Sequence, residues 1–261
     1  MKLSGNTILI TGGTSGIGLE LAKKLLQKGN KVIVTGRSDS KIAAAKKLLP
    51  DLQVIKNDIG QASEIENLVN TVKKDFPDLN ILINNAGIMQ ELNLHDESLT
   101  DNQLVGELHT NLLGPIRLSH RLIPHLKQKS ESAIVNVSSG LAFVPLPISP
   151  VYSATKAGLN SFTRSLRAQL KTTSIRVFEL APPATATPLL ADANEMDMKG
   201  ISVMSVEALV DAALKGMEND VYEIRPGQSN QLKWMNRIAP EFIFSQLSRT
   251  LDRILPPAKS K

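Results

Sequence analysis

Short apolar runs alternate with amphipathic stretches along almost the whole chain. Seven of these runs lack in–out alternation, which is typical of strands buried on both faces of a parallel sheet. The predicted strands span residues 7–11, 31–35, 52–56, 80–84, 133–138, 174–180 and 221–225. Between them, apolar residues recur at three- and four-residue spacing, as Ile17, Leu21 and Leu25 do. The pattern predicts an α/β fold in which right-handed crossovers place helices on both faces of the sheet.

The alternation continues without a linker or an internal repeat, so the 261 residues are predicted to form one doubly wound domain of Rossmann type. Two stretches, 140–150 and about 182–204, interrupt it just after strands, at the edge where open α/β sheets bind ligands. Apolar residues in both stretches favour an apolar substrate, although plain packing explains the methionines equally well. These residues are Leu141, Phe143, Val144, Leu146, Met196, Met198 and Met204.

A helical stripe of apolar residues follows the last predicted strand, and Pro240 divides it into two pieces. We therefore predict a main domain over residues 1–227 and a C-terminal helical extension of the same domain over 228–261. Basic residues lie on the other faces of the stripe, so it can close one side of the cleft, seal a subunit interface or lie on a membrane surface. Such a stripe more often packs against protein, so the first two roles are favoured over a membrane partner. The tail at Pro256–Pro257 is expected to be disordered.

Composition narrows the classes of function. The net charge of +5 comes from basic residues scattered over predicted helices, so we expect solvated helix faces and no nucleic-acid partner. The absence of cysteine excludes disulfides and thiolate chemistry and fits a reducing compartment. We find neither a signal-peptide pattern nor an apolar run of membrane-spanning length, so a cytoplasmic location is expected. The four histidines lack metal-ligand spacing, and no metal is expected.

The turn after the first strand is rich in glycine and opens the first helix. Glycine lets the backbone approach a pyrophosphate, and the helix N-terminus offers free N–H groups and the positive end of its dipole. The spacing of Gly12, Gly16 and Gly18 differs from the G-x-G-x-x-G form, and no Lys-Ser or Lys-Thr pair follows as in a P-loop. The sequence predicts a dinucleotide phosphate site. Its residues are Gly12, Thr14, Ser15, Gly16, Ile17 and Gly18.

The turn after the second strand bears on the choice of cofactor. Many NAD sites place an acidic residue there to bind the 2′-hydroxyl of the ribose. This chain has no acid in Thr35-Gly36-Arg37-Ser38, and the guanidinium of Arg37 can pair with a 2′-phosphate. The turn therefore favours NADP(H) over NAD(H), the alternative being an ordinary surface arginine.

Tyr152 and Lys156 lie four residues apart at the start of a predicted helix that runs to about Leu170, so their side chains share one face. Ser138 and Ser139 end the fifth predicted strand. An adjacent ammonium group and an oxidised nicotinamide ring favour the phenolate, so we expect the pKa of Tyr152 to be lowered from about 10. A serine hydroxyl can then bind the substrate oxygen while hydride moves to or from its carbon.

Over residues 5–226 the chain resembles the short-chain dehydrogenase/reductase family, because several motifs of that family occur here in the family's order. The matching elements are Thr11–Gly18, Asn57-Asp58-Ile59, Asn84-Asn85-Ala86-Gly87, Asn111, Ser139 and Tyr152-x3-Lys156. The resemblance implies the strand order 3-2-1-4-5-6-7. It also implies a nicotinamide cofactor, a small-molecule alcohol or carbonyl substrate, and a homodimer or homotetramer built on two long central helices.

The resemblance also assigns roles at the reacting centre. Ser139 polarises the substrate oxygen, and Tyr152 is the acid and base. Lys156 binds the nicotinamide ribose and tunes Tyr152, while Asn111 helps to hold a water relay from Lys156 to solvent. The remaining cofactor contacts that the resemblance implies are Asp58 and Ile59 at the adenine, Asn85, Ala86 and Gly87 beside the central strands and the adenosine ribose, and Thr187 at the nicotinamide amide.

One departure from the family pattern lies after the sixth strand. The family usually has Pro-Gly there, whereas this chain has Pro182-Pro183, and Pro183 fixes φ and removes a backbone donor. This turn and the run from Ser139 to Phe143 are similar to a bacterial subgroup, the DltE-like oxidoreductases. The predicted function is hydride transfer between NADP(H), more than NAD(H), and an alcohol or carbonyl compound. The alternative is a catalytically silent protein that binds NAD(P) for regulation, since fold does not imply function.

Overall fold

The computed structural model describes residues 1–191, 202–253 and 255. Met196, Met198 and the Pro256–Pro257 tail, which entered the expectations above, lie outside the described residues. Within the described part of the chain, no helix is both long and apolar enough to cross a membrane.

In the described residues, seven parallel strands form one sheet in the order β3-β2-β1-β4-β5-β6-β7, which confirms the predicted order. The strands are β1 (Thr7–Ile10), β2 (Lys31–Gly36), β3 (Gln53–Lys56), β4 (Leu79–Asn84), β5 (Ser132–Val137), β6 (Ile175–Leu180) and β7 (Glu223–Ile224). The first six match the predicted spans to within one residue at each end. β7 is shorter than the predicted 221–225 because it is an edge strand that pairs only with β6, and Pro226 follows it closely.

The helices lie between the strands and beyond the last one. They are α1 (Gly16–Gln27), α2 (Asp39–Leu48), α3 (Ala62–Asp75), α4 (Asp101–Leu108), α5 (Gly114–Leu126), α6 (Pro150–Gln169), α7 (Pro188–Ala191), α8 (Val206–Glu218), α9 (Gln228–Ile238) and α10 (Pro240–Ser248). A π-helical turn, His109–Leu113, joins α4 to α5, and 3-10 turns cover Gly140–Ala142 and Arg249–Arg253. Pro240 begins α10, which agrees with the predicted division of the C-terminal segment.

Each face of the sheet carries its own apolar core. Successive residues of β1 point to opposite faces, so Ile8 and Ile10 belong to the core under α1 and α8, while Leu9 belongs to the core under α3, α5 and α6. All three side chains are fully buried. This double burial is the physical reason that the strands read as continuous apolar runs.

The C-terminal helices lie beside the loop that follows β5. A Cβ on Gly140 would lie 2.9 Å from Ser229 Oγ and 3.1 Å from Leu232 Cδ1, so α9 packs directly on the 3-10 turn there. The Lys233 ammonium lies 5.4 Å from the centre of the Phe143 ring and forms an ion pair with Glu223 at 2.9 Å. The outer faces of α9 and α10 expose large apolar side chains. They are Trp234, Ile238, Phe242 and Phe244.

Candidate active site

The glycine-rich turn lies between the carboxyl end of β1 and α1, packed closely against its neighbours. Gly12 has a φ of +65°, and a Cβ there would lie 2.8 Å from Ala86 Cα. A Cβ on Gly13 would lie 2.4 Å from Val34 Cγ1, and one on Gly18 would lie 2.5 Å from the carbonyl oxygen of Gly12. Side chains are therefore excluded on three sides, and the backbone itself forms the surface that a ligand meets.

The start of α1 is suited to a phosphate. Ser15 is the N-cap residue, but its side chain makes no capping hydrogen bond, and the first turn contains no acidic residue. The first N–H groups of α1 thus have no side-chain acceptor of their own and lie at the positive end of the helix dipole. Thr14 is buried beside Gly36, and Ile17 packs at the border of the core under α1 and α8.

The Asn85-Ala86-Gly87 motif ties β4 to this turn. The backbone N–H groups of Asn85 and Ala86 both donate to Thr11 Oγ1 at 3.0 Å. The Asn85 side chain donates to the carbonyl oxygens of Thr11 at 2.9 Å and Gly12 at 3.2 Å. The motif fixes the shape of the glycine turn from the side, which is a supporting role.

Arg37 and Asp58 lie at the ends of β2 and β3. The Arg37 side chain is 62% exposed, and its Nη1 atom lies 3.9 Å from Asp58 Oδ2. Asp58 Oδ1 accepts a hydrogen bond from the Gly60 N–H at 2.9 Å. The guanidinium is therefore held only loosely and can reorient towards a phosphate. The Ile59 side chain is buried in the core under α3, α5 and α6.

The segment after β6 passes close to the glycine turn. A Cβ on Gly16 would lie 3.5 Å from Thr187 Cγ2, so the structure brings Thr187 beside the predicted phosphate site. The Pro182 carbonyl accepts from the Gly140 N–H at 2.8 Å, and the Pro183 carbonyl accepts from Thr185 Oγ1 at 2.8 Å. The Pro182 carbonyl thus holds the loop after β5, and the Pro183 carbonyl holds a local turn in its own segment.

The predicted catalytic serine and tyrosine meet at the carboxyl edge of β5. The Ser139 side chain lies close enough to Tyr152, which is 6% exposed, to favour its phenolate form, and its hydroxyl accepts from the Leu141 N–H at 3.1 Å. Ser138 points elsewhere, since its hydroxyl donates to Glu179 Oε1 at 2.5 Å. Of the two adjacent serines, Ser139 is the one whose hydroxyl lies beside the tyrosine.

Lys156 lies one helical turn after Tyr152 on α6. Its ammonium donates to the Val137 carbonyl at 2.9 Å and lies 5.5 Å from the centre of the Tyr152 ring. The side chain is buried, and this burial lowers the pKa of Lys156 to about 8, while the nearby Glu107 carboxyl opposes the change. A lysine in this state can exchange a proton near neutral pH.

The pKa of Tyr152 is raised in the chain without a cofactor, whereas the lowered value expected above was for the site with an oxidised nicotinamide ring. Burial raises the pKa of Tyr152 to about 12, which outweighs the hydrogen bond from Ser139 that favours the phenolate. The Glu107 carboxyl raises the pKa of Tyr152 further. In the cofactor-free chain the tyrosine is therefore an acid that holds its proton firmly.

Asn111 lies in the π-helical turn, where the backbone ladder is displaced. Its side chain accepts from the Ile88 N–H at 2.9 Å and donates to the Ile88 carbonyl at 2.8 Å and to Thr155 Oγ1 at 3.2 Å. A Cβ on Gly87 would lie 3.4 Å from Asn111 Oδ1 and 3.5 Å from Lys156 Nζ. The structure thus brings Asn111, Gly87 and Lys156 together, with the Asn111 side chain used to hold the segment after β4.

Glu107 also belongs to this site, and the sequence analysis missed it. The residue is fully buried on α4, and its Oε1 atom accepts from the Gln90 N–H at 2.6 Å. Burial raises the pKa of Glu107 to about 7. The spacing contained a signal, because a glutamate four residues before Asn111 must share its helix face and therefore point inwards.

A sheet of this order, a glycine turn after β1 and a buried Ser-Tyr-Lys group define a class: oxidoreductases that bind a nicotinamide dinucleotide on a doubly wound fold. A family model described as short chain dehydrogenase matches residues 6–198. The chain belongs to the short-chain dehydrogenase family.

Similar proteins place the chain near one bacterial group. It is 41% identical over 253 residues to DltE of Bacillus subtilis (strain 168), described as an uncharacterized oxidoreductase, with 95% of this chain and 98% of the relative covered. A solved short-chain dehydrogenase from Sphingobium yanoikuyae in complex with NADPH is 26% identical, with a TM-score of 0.78 and 98% of each chain covered. A 3-ketoacyl-(acyl-carrier-protein) reductase from Brucella melitensis complexed with NADH is 29% identical, with a TM-score of 0.74 and 82% and 91% of the two chains covered.

Proposed function

We propose that this protein is an NADP(H)-preferring oxidoreductase that transfers hydride between the nicotinamide ring and an alcohol or carbonyl compound with apolar substituents. The observation that carries the proposal is the buried group formed by Ser139, Tyr152 and Lys156 at the carboxyl edge of the sheet. A regulator that only binds the cofactor has no chemical need for a buried lysine beside a buried tyrosine, because each costs desolvation energy.

The residues present fit a nicotinamide dinucleotide. The backbone of the glycine turn leaves no room for side chains, and the uncapped start of α1 offers N–H groups to the pyrophosphate. The exposed Arg37 suits the 2′-phosphate of NADP(H). The turn 35–38 contains no acidic residue that would bind the ribose 2′-hydroxyl of NAD(H). When bound, the cofactor supplies or accepts the hydride, and the chain supplies the proton and the orientation.

The side chains divide the work at the substrate oxygen. The Ser139 hydroxyl donates a hydrogen bond to that oxygen and orients the carbonyl. During reduction the Tyr152 O–H bond breaks and its proton goes to the oxygen, which has gained the electron pair of the former carbonyl bond. The Lys156 ammonium stabilises the phenolate that remains, and its own pKa of about 8 allows it to pass on a proton near neutral pH.

Two features support an apolar substrate and a role for the C-terminal segment at the cleft. Leu141, Phe143 and Leu146 are partly exposed in the loop that follows Ser139, and α9 packs against the same loop. We assign α9 to the wall of the substrate cleft. A homo-oligomer built on α5 and α6 remains a proposal from the family resemblance, and light scattering of the purified chain tests it.

Substitution of the tyrosine is the direct test of this function. Tyr152→Phe keeps the ring and removes the proton donor, so turnover of ketones with NADPH should fall by about 10²-fold or more while cofactor affinity stays within about twofold. The matched control is Tyr222→Phe. Tyr222 is the second tyrosine of the sequence, its ring stacks on Phe178, and it is not one of the site residues named above. A Tyr152→Phe variant with wild-type kcat would refute the mechanism, and cofactor binding without turnover of any ketone, aldehyde or alcohol would favour the regulator.

A further inference from the structure

Glu107 is a buried carboxyl group that is only half satisfied. Its Oε1 atom accepts from the Gln90 N–H at 2.6 Å, but its Oε2 atom is buried and accepts no hydrogen bond from any residue that the structure describes. Burying a carboxylate oxygen without a hydrogen-bond donor costs desolvation free energy. Its presence here indicates that the carboxylate interacts with a nearby charge or ligand.

Glu179, the other fully buried glutamate among the described residues, shows what a structural carboxylate needs in this fold. Its two oxygens accept from both Ser138, at 2.5 Å, and Asn160, at 2.8 Å. Glu107 has no comparable set of donors. Hydrogen bonding alone therefore explains the burial of Glu179 but not that of Glu107.

Lys156 presents the complementary problem. Its buried ammonium group has three protons to donate, and the described hydrogen bond is the one to the Val137 carbonyl. α4, which carries Glu107, packs against α6, which carries Lys156, and both side chains are buried. The negative charge of Glu107 opposes the loss of the Lys156 proton, and the positive charge of Lys156 favours the ionised form of Glu107. The two residues are not in ion-pair contact, so this attraction acts through space inside the site.

We propose that Glu107 is the buried counter-ion of Lys156, a positioning residue that keeps the lysine in its ammonium form within the site. The inference rests on the function proposed above, in which charged Lys156 stabilises the phenolate of Tyr152. It assigns a second duty to the glutamate, because the bond from Gln90 to Oε1 also holds the segment after β4.

The titratable groups around Glu107 are few in the described part of the chain. α6 contributes Lys156, which acts on Glu107, and Tyr152, whose pKa the Glu107 charge raises. The segment 88–90 contributes the Gln90 N–H, and the π-helical turn contributes the neutral amide of Asn111. Removing the charge at Glu107 should therefore be felt at Lys156 and Tyr152 before any other ionisable group.

The first test is the pH profile of Glu107→Gln. Glutamine retains an oxygen for the Gln90 N–H but has no charge. The alkaline limb of kcat for carbonyl reduction should move down by about one pH unit, so that activity at pH 8.5 relative to pH 6.5 falls about sixfold. The matched control is Glu97→Gln, an exposed glutamate in the loop before α4, which should leave the profile unchanged. A uniform loss of activity at all pH values would show a merely structural role and overturn the proposal.

The second test needs no turnover, so it also separates this proposal from the proposed function. In cofactor-free protein, the infrared signal of a protonated carboxyl that disappears in Glu107→Gln identifies the titration of Glu107. Lys156→Met removes the positive charge at similar length, and the titration midpoint of Glu107 should then rise by about one pH unit. An unchanged midpoint in Lys156→Met would refute the coupling. A raised midpoint in a protein that reduces no carbonyl compound would retain the counter-ion pair and reject the proposed enzyme.

Discussion

The burial of Glu107 has a measurable consequence for stability, and Glu107→Gln is the perturbation that isolates it. Burial raises the pKa of this carboxyl from 4.5 to about 7 in the folded chain. The folded state therefore holds the proton more tightly than the unfolded state does. The stabilisation that follows is complete below pH 4.5 and is lost as the pH rises to about 7, where the carboxylate must be buried with its charge.

The size of the effect follows from the shift. At 1.36 kcal/mol per pH unit, a rise from 4.5 to about 7 corresponds to about 3 kcal/mol of unfolding free energy lost by the wild type across this window. Glutamine carries no charge at any pH. Relative to the wild type, Glu107→Gln should therefore gain up to about 3 kcal/mol between pH 4 and pH 8.

Urea unfolding of both proteins at closely spaced pH values is the appropriate assay. Burial lowers the pKa of His125, so the contribution of this residue to the pH dependence has the opposite sign. The contribution is common to both proteins and cancels in the difference. The glutamine amide makes different hydrogen bonds from the carboxyl group, and this adds a constant to the difference in unfolding free energy that does not vary with pH. A difference that stays flat to within about 0.5 kcal/mol would show that Glu107 ionises as freely in the folded chain as in the unfolded one, against the burial argument.

Three further results are expected. Arg37→Ala should weaken NADPH binding by about tenfold or more and leave NADH binding unchanged in fluorescence titrations. Substitution of the exposed Arg121 by alanine is the control, and an equal loss of affinity for both cofactors in Arg37→Ala would count against a 2′-phosphate contact. Gly13→Ala should lower the unfolding free energy by about 1–3 kcal/mol, because its Cβ would lie 2.4 Å from Val34, whereas Gly106→Ala meets open space in α4 and should raise it by about 0.5–1 kcal/mol. Truncation after Gly227 should raise KM for apolar ketones and lower Tm, while truncation after Ser248 retains α9 and should change neither quantity. Equal KM and Tm in the two truncated proteins would contradict the assignment of α9 to the wall of the cleft.

The fold was largely predictable because every central strand is buried on both faces. Ile8, Leu9 and Ile10 illustrate the rule, since each contributes to one core or the other and none is free to be polar. At the sheet edge the rule weakens. Val221 and Tyr222 are 47% and 41% exposed, so their apolar character extended the predicted strand beyond the two residues that pair.

The candidate site was predictable where spacing expresses backbone geometry. Tyr152 and Lys156 share a helix face because they are four residues apart, and the glycine turn follows β1 because the backbone needs close approach there. The protonation state of Tyr152 was not predictable in this way. Its pKa depends on how much water the folded chain excludes, and the charge that raises it further comes from Glu107, 45 residues earlier in the sequence.

The distance in sequence between Glu107 and Lys156 explains why a motif search finds one and not the other. Tyr152 and Lys156 act on each other through a single helix, so their spacing is visible in the sequence. Glu107 reaches them only because α4 packs against α6, and that contact depends on the π-helical turn and on Asn111, which bonds to Ile88 and to Thr155. The charge balance of this site is thus a property of helix packing, and substitutions at the interface of α4 and α6 should change the pH dependence of catalysis without touching a catalytic side chain.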